Sequence, residues 1–439
     1  MSRRRKNMDG YEEIYPEYEE IYPEADHSTA KKPKKKRLSR KKRRMRRIRR
    51  IVLAIAVIVV LYLTAVFSNI PFIAKWRTIY IMTAMTTNSH QWLATMFIPH
   101  SVIEKAMAEQ EEALRNSANM NSTWGDENNI TEPGLLLQGV AITDDTEKEE
   151  FYEKYWEIDS DSVHQYLEAN PALLEDGYNN LHIEDFDMKL GLKTVEGDPI
   201  LVINAPNNLL IFETDGSSYK GKLAIAKEPS QVDLVKAKRL GSHGDKIVTF
   251  CEDNDAILGI NASGFKDPNG EGNGGTVNGS LVVDGVEYGS HKNEPAWKFV
   301  GLNKENKMYV SNYSSIDVKD FRWGLEFYPG LVIDGVEAVN QGYCMGIQPR
   351  TTLGQEKDGS LLMLVIDGRQ PGYSLGCSVA ECTKIMMRYN CYQGMNLDGG
   401  SSAVMYYDGR QITKSSSVSG KGRYMPDAIL VNRISDKEK

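Results

Sequence analysis

"LLMLVIDGRQPGYSLGCSVAECTKIMMRYNCYQGMNLDGGSS" runs from Leu361 to Ser402. Its first six residues, Leu361–Ile366, are apolar without a break, which suits a strand buried on both faces and closed by the turn-forming Asp367-Gly368. Ser378 and Glu381 then have capping-box spacing, so a helix opens there. Val379, Cys382, Ile385, Met386 and Tyr389 recur near one face of that helix. After Gly394, "MNL" enters a second strand that ends at Asp398. The reading is a strand–helix–strand unit with two parallel strands. Asp367 and Asp398 therefore stand at the carboxyl ends of their strands, on one edge of the sheet, where ligands bind in open α/β sheets. Gly399 and Gly400 let the backbone turn and let a ligand come close. Asn396, Asp398, Ser401 and Ser402 surround that gap with donors and acceptors.

Outward from this unit the texture is β-rich. "PILVINA", "NLLIFETDG", "GKLAIAKEP", "SLVVDGVEYG" and "LVIDGVEAV" read as short strands, several joined by Asp-Gly hairpin turns. Helical patterns are fewer, so residues 185–439 read as one α+β domain, a mixed β-sheet carrying the βαβ unit. Two further stretches could complete a site. "GINASGFKDPNGEGNGG" (Gly259–Gly275) places Asn261 and Ser263 at the end of an apolar run, before a glycine-rich loop. "QPRTTLGQ" (Gln348–Gln355) offers Arg350 just before the buried strand, and an arginine can bind phosphate bidentately. "DPNGEG" (Asp267–Gly272) resembles the start of a calcium loop, but position twelve is Asn278, so a plain Gly/Asn loop is favoured and no metal is assigned. Ser401 as a nucleophile would need a base, and His182, His243 and His291 stand in no recognisable arrangement.

The 439 residues are 41% apolar and 26% charged, with a net charge of −7. The charge is uneven. Residues 31–50 hold 15 Lys/Arg and no acid, so the rest of the chain carries −22, which fits nucleic-acid binding badly. Cys251, Cys344, Cys377, Cys382 and Cys391 form no CxxC and no zinc pattern; buried thiols are expected, with room for one bridge. Ile51–Ile73 has no charged residue over 23 positions, enough for a membrane-crossing helix. No A-x-A site follows, so an uncleaved anchor is expected rather than a signal peptide. The basic cluster on its N-terminal flank puts the N-terminus in the cytoplasm, the later residues outside, and anionic lipid head groups against residues 31–50. Residues 1–50 read as a disordered acidic and basic tail in which "EEIYPE" occurs twice. Its Tyr15 and Tyr22 leave room for a signalling role. Residues 74–184 read as a mostly helical stalk that spaces the domain from the membrane.

"INASGF", "PRTTLGQEKDGSLLMLVIDGR", the capping-box helix, "MNLDGGSSAVMYYDG", "YKGKLAIAKEPSQVDL" and the closing "RYMPDAILV" together resemble the phosphodiester glycosidase family over about Asp215–Val431. Ala262-Ser263 replaces a common Gly pair of that family, and Ser401 replaces a third Gly. The resemblance implies hydrolysis of the sugar C1–O bond of sugar-1-phosphodiesters in cell-surface glycans. The reaction needs a cation to hold the phosphate and a carboxylate as nucleophile or base. Arg350 is the expected phosphate holder, with Arg369 in reserve. Asp398 is the expected catalytic carboxylate and Asp367 its partner or orienter. Asn261, Ser263, Asn396, Gly399, Gly400, Ser401 and Ser402 are the expected substrate contacts. The alternative is a non-catalytic relative that binds phosphoglycans during assembly of the cell envelope.

Overall fold

The structure is a computed structural model and describes residues 39–87, 90–124, 146–339 and 345–434. The repeated "EEIYPE" with Tyr15 and Tyr22, the first half of the basic block and Cys344 lie outside the described residues. The helices are α1 (Arg40–Phe67), α2 (Pro71–Met85), α3 (Trp92–Thr95), α4 (His100–Ala118), α5 (Thr146–Lys154), α6 (Ser160–Ala169), α7 (Ile247–Asp253) and α8 (Val379–Arg388). The chain divides into two units, Met1–Tyr62 and Leu63–Lys439. In the first, the described residues form most of α1, and all their side chains are exposed.

The second unit is built on a nine-stranded sheet. Its order is His182–Glu184, Ile200–Asn204, Leu209–Asp215, Lys220–Ala226, Leu361–Ile366, Arg350–Gln355, Gln393–Asn396, Gly330–Ile333 and Val336–Glu337. Leu361–Ile366 and Gln393–Asn396 both run antiparallel to Arg350–Gln355, which lies between them. They are thus parallel to each other, as the βαβ reading expects. Successive strand side chains point to opposite faces, and the apolar run uses both. Leu361, Met363 and Val365 join one core; Leu362, Leu364 and Ile366 join another. Leu209 and Ile211 against Leu210 and Phe212 divide the same way.

The second core lies under α5, α6 and α8. The Ser378 hydroxyl caps α8 by accepting from the Glu381 amide at 3.2 Å, and Val379, Cys382, Ile385, Met386 and Tyr389 are all buried there. The first core is closed by two five-stranded sheets. One contains Ser280–Val283, Lys298–Asn303 and Phe321–Phe327; the other contains Ala256–Asn261, Met405–Tyr407 and Asp427–Asn432. The hairpins turn at Asp284-Gly285, Asp334-Gly335 and Asp408-Gly409, each with positive φ at both residues, as two-residue hairpins require.

Two expectations change. The apolar run 51–73 is not one helix: α1 stops at Phe67 and Pro71 opens α2. Proline lacks the amide that would continue α1 and pushes Ile70 out of the helical region, to φ −60° and ψ 122°. Residues 74–184 are also more than a spacer. Phe151, Tyr155, Val163 and Leu167 are part of the core under α8. Ser122 pairs with Val310, its hydroxyl accepting from the Val310 amide at 2.7 Å. The Lys298 ammonium, buried away from carboxylates, donates to the carbonyls of Ala118 (2.9 Å) and Met120 (2.6 Å) and to Asn312 Oδ1 (2.7 Å).

Candidate active site

Asp398 lies where the nine-stranded sheet meets the sheet of Ala256–Asn261. The turn after Gln393–Asn396 is clamped from both sides. The Leu397 amide donates to Thr351 O (2.8 Å), the Asp398 amide to Ala262 O (3.1 Å) and the Gly400 amide to Pro349 O (2.9 Å). Asn261 ties the segments together. Its Nδ2 donates to Asp398 O at 2.6 Å, and its Oδ1 accepts from the Thr351 hydroxyl at 2.7 Å and the Val404 amide at 3.1 Å. Every polar atom of this buried side chain is therefore used inside the protein. Asn261 positions the turn and does not line the cavity.

The glycines make room for the protein as well as for a ligand. A Cβ on Gly399 would sit 2.6 Å from the Pro349 carbonyl oxygen. One on Gly400, at φ +60°, would meet the Arg369 guanidinium at 3.2 Å. Arg369 itself has φ 57°, uncommon for a residue with a side chain.

The cavity in front of this turn has a volume of about 880 Å3 and is lined by Asp398, Gly399, Gly400, Ser401, Ser402, Asn396, Arg350 and Arg369. Trp297, Phe327 and Tyr328 add a cluster of rings whose centroids lie 5.2–5.6 Å apart. Arg350 is buried and spends one guanidinium nitrogen on Met345 O (2.9 Å) and Gly346 O (2.8 Å), while its Nε reaches Cys377 O at 3.3 Å. Arg369 Nη2 donates to Gln348 Oε1 at 2.9 Å. Among the described residues neither guanidinium has a carboxylate partner. Partial desolvation and the Arg350 charge both push the Arg369 value down. Arg350 is buried but Arg369 is solvent-exposed, and the Asp398 charge supports the Arg369 cation.

Burial lifts the Asp398 carboxyl to about 6, against hydrogen bonds from Ser402 and the Gly399 amide and the charge of Arg423. It stays mostly ionised at neutral pH. Asn396 donates from Nδ2 to Tyr328 O at 2.7 Å, and its buried Oδ1 has no partner among the described residues. That acceptor is enclosed by the protein and not presented to the cavity.

Asp367 sits at the expected strand end but not in the cavity. Its Oδ2 accepts from the Tyr373 hydroxyl at 3.0 Å and its Oδ1 from the Lys414 amide at 2.8 Å. Strand register fixes where a residue emerges, not which way its side chain turns into the following loop. Ser263 is buried behind the wall, its amide donating to Asp427 Oδ1 at 2.7 Å. In "DPNGEG", Asp267 accepts both Arg423 Nη1 (2.6 Å) and Nη2 (2.8 Å).

Other parts were not read from the sequence. Arg423 and Asp427 lie in "RYMPDAILV", a stretch noted for its pattern rather than its charges. Asp427 is fully buried, and burial, with the Asp398 charge adding, raises its carboxyl to about 7 against the pull of Ser263. Thr86, Thr87 and His90, just after α2, also line the cavity. The Thr83 hydroxyl accepts from the Ile347 amide at 2.9 Å, and the Gln348 side chain donates to the Thr86 hydroxyl. Nothing in the local sequence announces contacts that span some 260 residues.

Residues 254–432 match the family model "Phosphodiester glycosidase". A curated relative, the SPbeta prophage-derived uncharacterized protein YomE of Bacillus subtilis (strain 168), is 25% identical over 206 residues, which are 44% of this chain and 30% of that protein. The chain thus spans under a third of that relative. Among solved structures, the zebrafish N-acetylglucosamine-1-phosphodiester alpha-N-acetylglucosaminidase catalytic domain, auto-inhibited by its pro-peptide, aligns at 17% identity and TM-score 0.43, covering 52% of this chain and 83% of that one. A hypothetical protein from Synechocystis aligns at 12% identity and TM-score 0.39, covering 54% and 65%.

Proposed function

We propose, from the match of residues 254–432 to the phosphodiester glycosidase family model, that this cavity hydrolyses the sugar C1–O bond of glycosyl-1-phosphodiesters. The observation that carries the reading is the pair of guanidiniums, Arg350 and Arg369, in one cavity with the carboxylate of Asp398 and without a carboxylate partner among the described residues. The two arginines hold the phosphodiester, an anion that also leaves as a stable phosphomonoester, so a strong general acid is less necessary. Asp398 either attacks C1, giving a glycosyl ester that a water then hydrolyses, or takes a proton from the water that attacks C1 directly. In both cases the C1–O bond breaks towards the phosphate, and the products are free sugar and phosphomonoester. The ring cluster of Trp297, Phe327 and Tyr328 supplies the apolar wall a sugar face needs.

In the same reading α1 is the anchor, the only described helix long and apolar enough to cross a membrane. Residues 31–50 then lie against anionic lipids on the cytoplasmic side, and the domain faces the glycans of the cell envelope.

The test incubates the full chain with UDP-sugars and a panel of sugar-1-phospho-methyl diesters and measures free sugar, beside Asp398→Asn. The expected result is release by the wild type, lowered at least ~1000-fold in the variant. Equal rates would remove Asp398 from the chemistry. Release from no compound, with glycan binding intact, would leave a binding protein.

A further inference from the structure

The helices that follow α1 carry an exposed apolar surface that the proposed chemistry does not use. On α2, Phe72 is 71% and Trp76 52% exposed, four residues apart and on one side of the helix. Around α3, Trp92 is 51%, Met96 66% and Phe97 54% exposed. These helices are ordered by a small core of their own, Val66, Ile81, Ala84, Ala94, Ile98, Ile103 and Ala106. Their exposed rings are therefore not the frayed side of a loose segment. Arg77 ties α2 to the end of α1 by donating to Val66 O (3.0 Å) and Ser68 O (2.8 Å). Only Ser68–Ile70 separate the two helices. An apolar, Trp-rich surface that follows a membrane span after three residues has one natural neighbour, the head-group and upper acyl region of the same bilayer.

The same segment is a wall of the catalytic cavity. Thr86, Thr87 and His90 line it, and they sit between the two aromatic helices. His90 is two residues from Trp92, and two residues reach at most ~7 Å. A Trp92 ring at head-group depth therefore holds the cavity wall at that depth. Gln348 extends the link by donating to Thr86 and accepting from Arg369.

We infer that the phosphodiester this site accepts is carried on a lipid of the membrane that holds the chain. The inference rests on the glycosidase reading and on α1 as the span, and names the substrate's second half. The sugar and phosphate enter the cavity while the acyl or isoprenyl portion stays in the bilayer beside α2 and α3. The reaction then frees sugar into water and leaves a lipid phosphomonoester in the membrane.

The experiment uses the full chain in proteoliposomes with two independent readouts. The first is tryptophan quenching by phospholipids brominated on their acyl chains. Wild type should be quenched, and Trp76→Phe/Trp92→Phe should lose most of that quenching. Identical quenching in the two proteins overturns the bilayer-facing surface, as it would if a protein partner covered it. The second compares one sugar-1-phosphate on a polyisoprenyl or diacylglycerol aglycone in the same vesicle with the same group on a soluble short alkyl chain. The lipid substrate should turn over at least ten-fold faster at equal concentration. Trp76→Glu/Trp92→Glu should remove that advantage and leave the soluble rate unchanged, which also shows that the variant is folded. Equal rates on both substrates in the wild type overturn the inference while the glycosidase reading stands. Hydrolysis of neither overturns the glycosidase reading and the lipid substrate with it, whatever the quenching shows.

Discussion

Replacing Asp427 by Asn should stabilise the protein at neutral pH by an amount that grows with pH. Asp427 is fully buried, its Oδ1 takes the Ser263 amide at 2.7 Å, and no cation pairs with it among the described residues. Burial lifts its carboxyl to about 7, against about 4 in an unfolded chain. Below pH ~4 the group is protonated in both states and contributes nothing to the pH dependence. Between pH ~4 and ~7 the unfolded chain gives up the proton and the folded one keeps it, so rising pH favours unfolding by about 1.4 kcal/mol per unit. Above ~7 both are ionised and the deficit levels off at about 4 kcal/mol. Asparagine keeps the acceptor for Ser263 and cannot ionise. Any fixed packing cost of the amide is the same at every pH, so the difference between variant and wild type isolates the carboxyl. Thermal unfolding of both proteins at pH 4.5, 5.5, 6.5 and 7.5 would show it. At about 2 °C per kcal/mol for a body of this size, the gap in Tm should widen by roughly 6–8 °C across the series. A gap constant with pH would refute the argument and mean that water or an unseen cation reaches the carboxylate.

Three other outcomes follow from the site. The proposed reaction needs Asp398 ionised, and burial raises it to about 6, so kcat/KM should fall about ten-fold per unit below that pH; a rate flat from pH 7 to 5 would count against that role. Gly399→Ala puts a methyl 2.6 Å from the Pro349 carbonyl, so the turn must move. A shift near 1 Å should cost about 100-fold in kcat, with Tm lowered far less than activity. Burial pushes the thiols of Cys251, Cys377 and Cys391 upward, and the equally buried Cys382 lies 3.3 Å from Cys377. Peptide mapping after iodoacetamide at pH 8 should find all four unmodified in the folded protein and modified in urea.

The features that were legible in the sequence are those set by local periodicity. Leu361–Ile366 could satisfy six apolar side chains only between two cores, and it does. Ser378 with Glu381 fixed the start of α8, and Asp-Gly pairs fixed three hairpins. That the turn at Asp398 borders a cavity was legible because a stretch so dense in small polar residues needs a reason. Asp367 shows the limit: two carboxylates follow parallel strands, and only the partners Tyr373 and Lys414, supplied by the loops, decide that one turns away. Asn261 was read as a ligand contact because an exposed and an internally satisfied amide look alike in sequence. The break at Pro71 was readable, since proline marks a first helical turn, but apolar composition overrode it.

The acceptors around Lys298 bear on how this architecture can be inherited. Its ammonium is held at about 8 by burial and relies on the carbonyls of Ala118 and Met120, while the loop that braces Arg350 leans on Thr83. A gene fragment encoding residues 185–439 alone would leave a buried cation short of partners and an arginine loop without its support. Fusion or exchange in evolution would therefore have to move the sequence from the end of α1 onward as one cassette, and only what precedes it could be swapped.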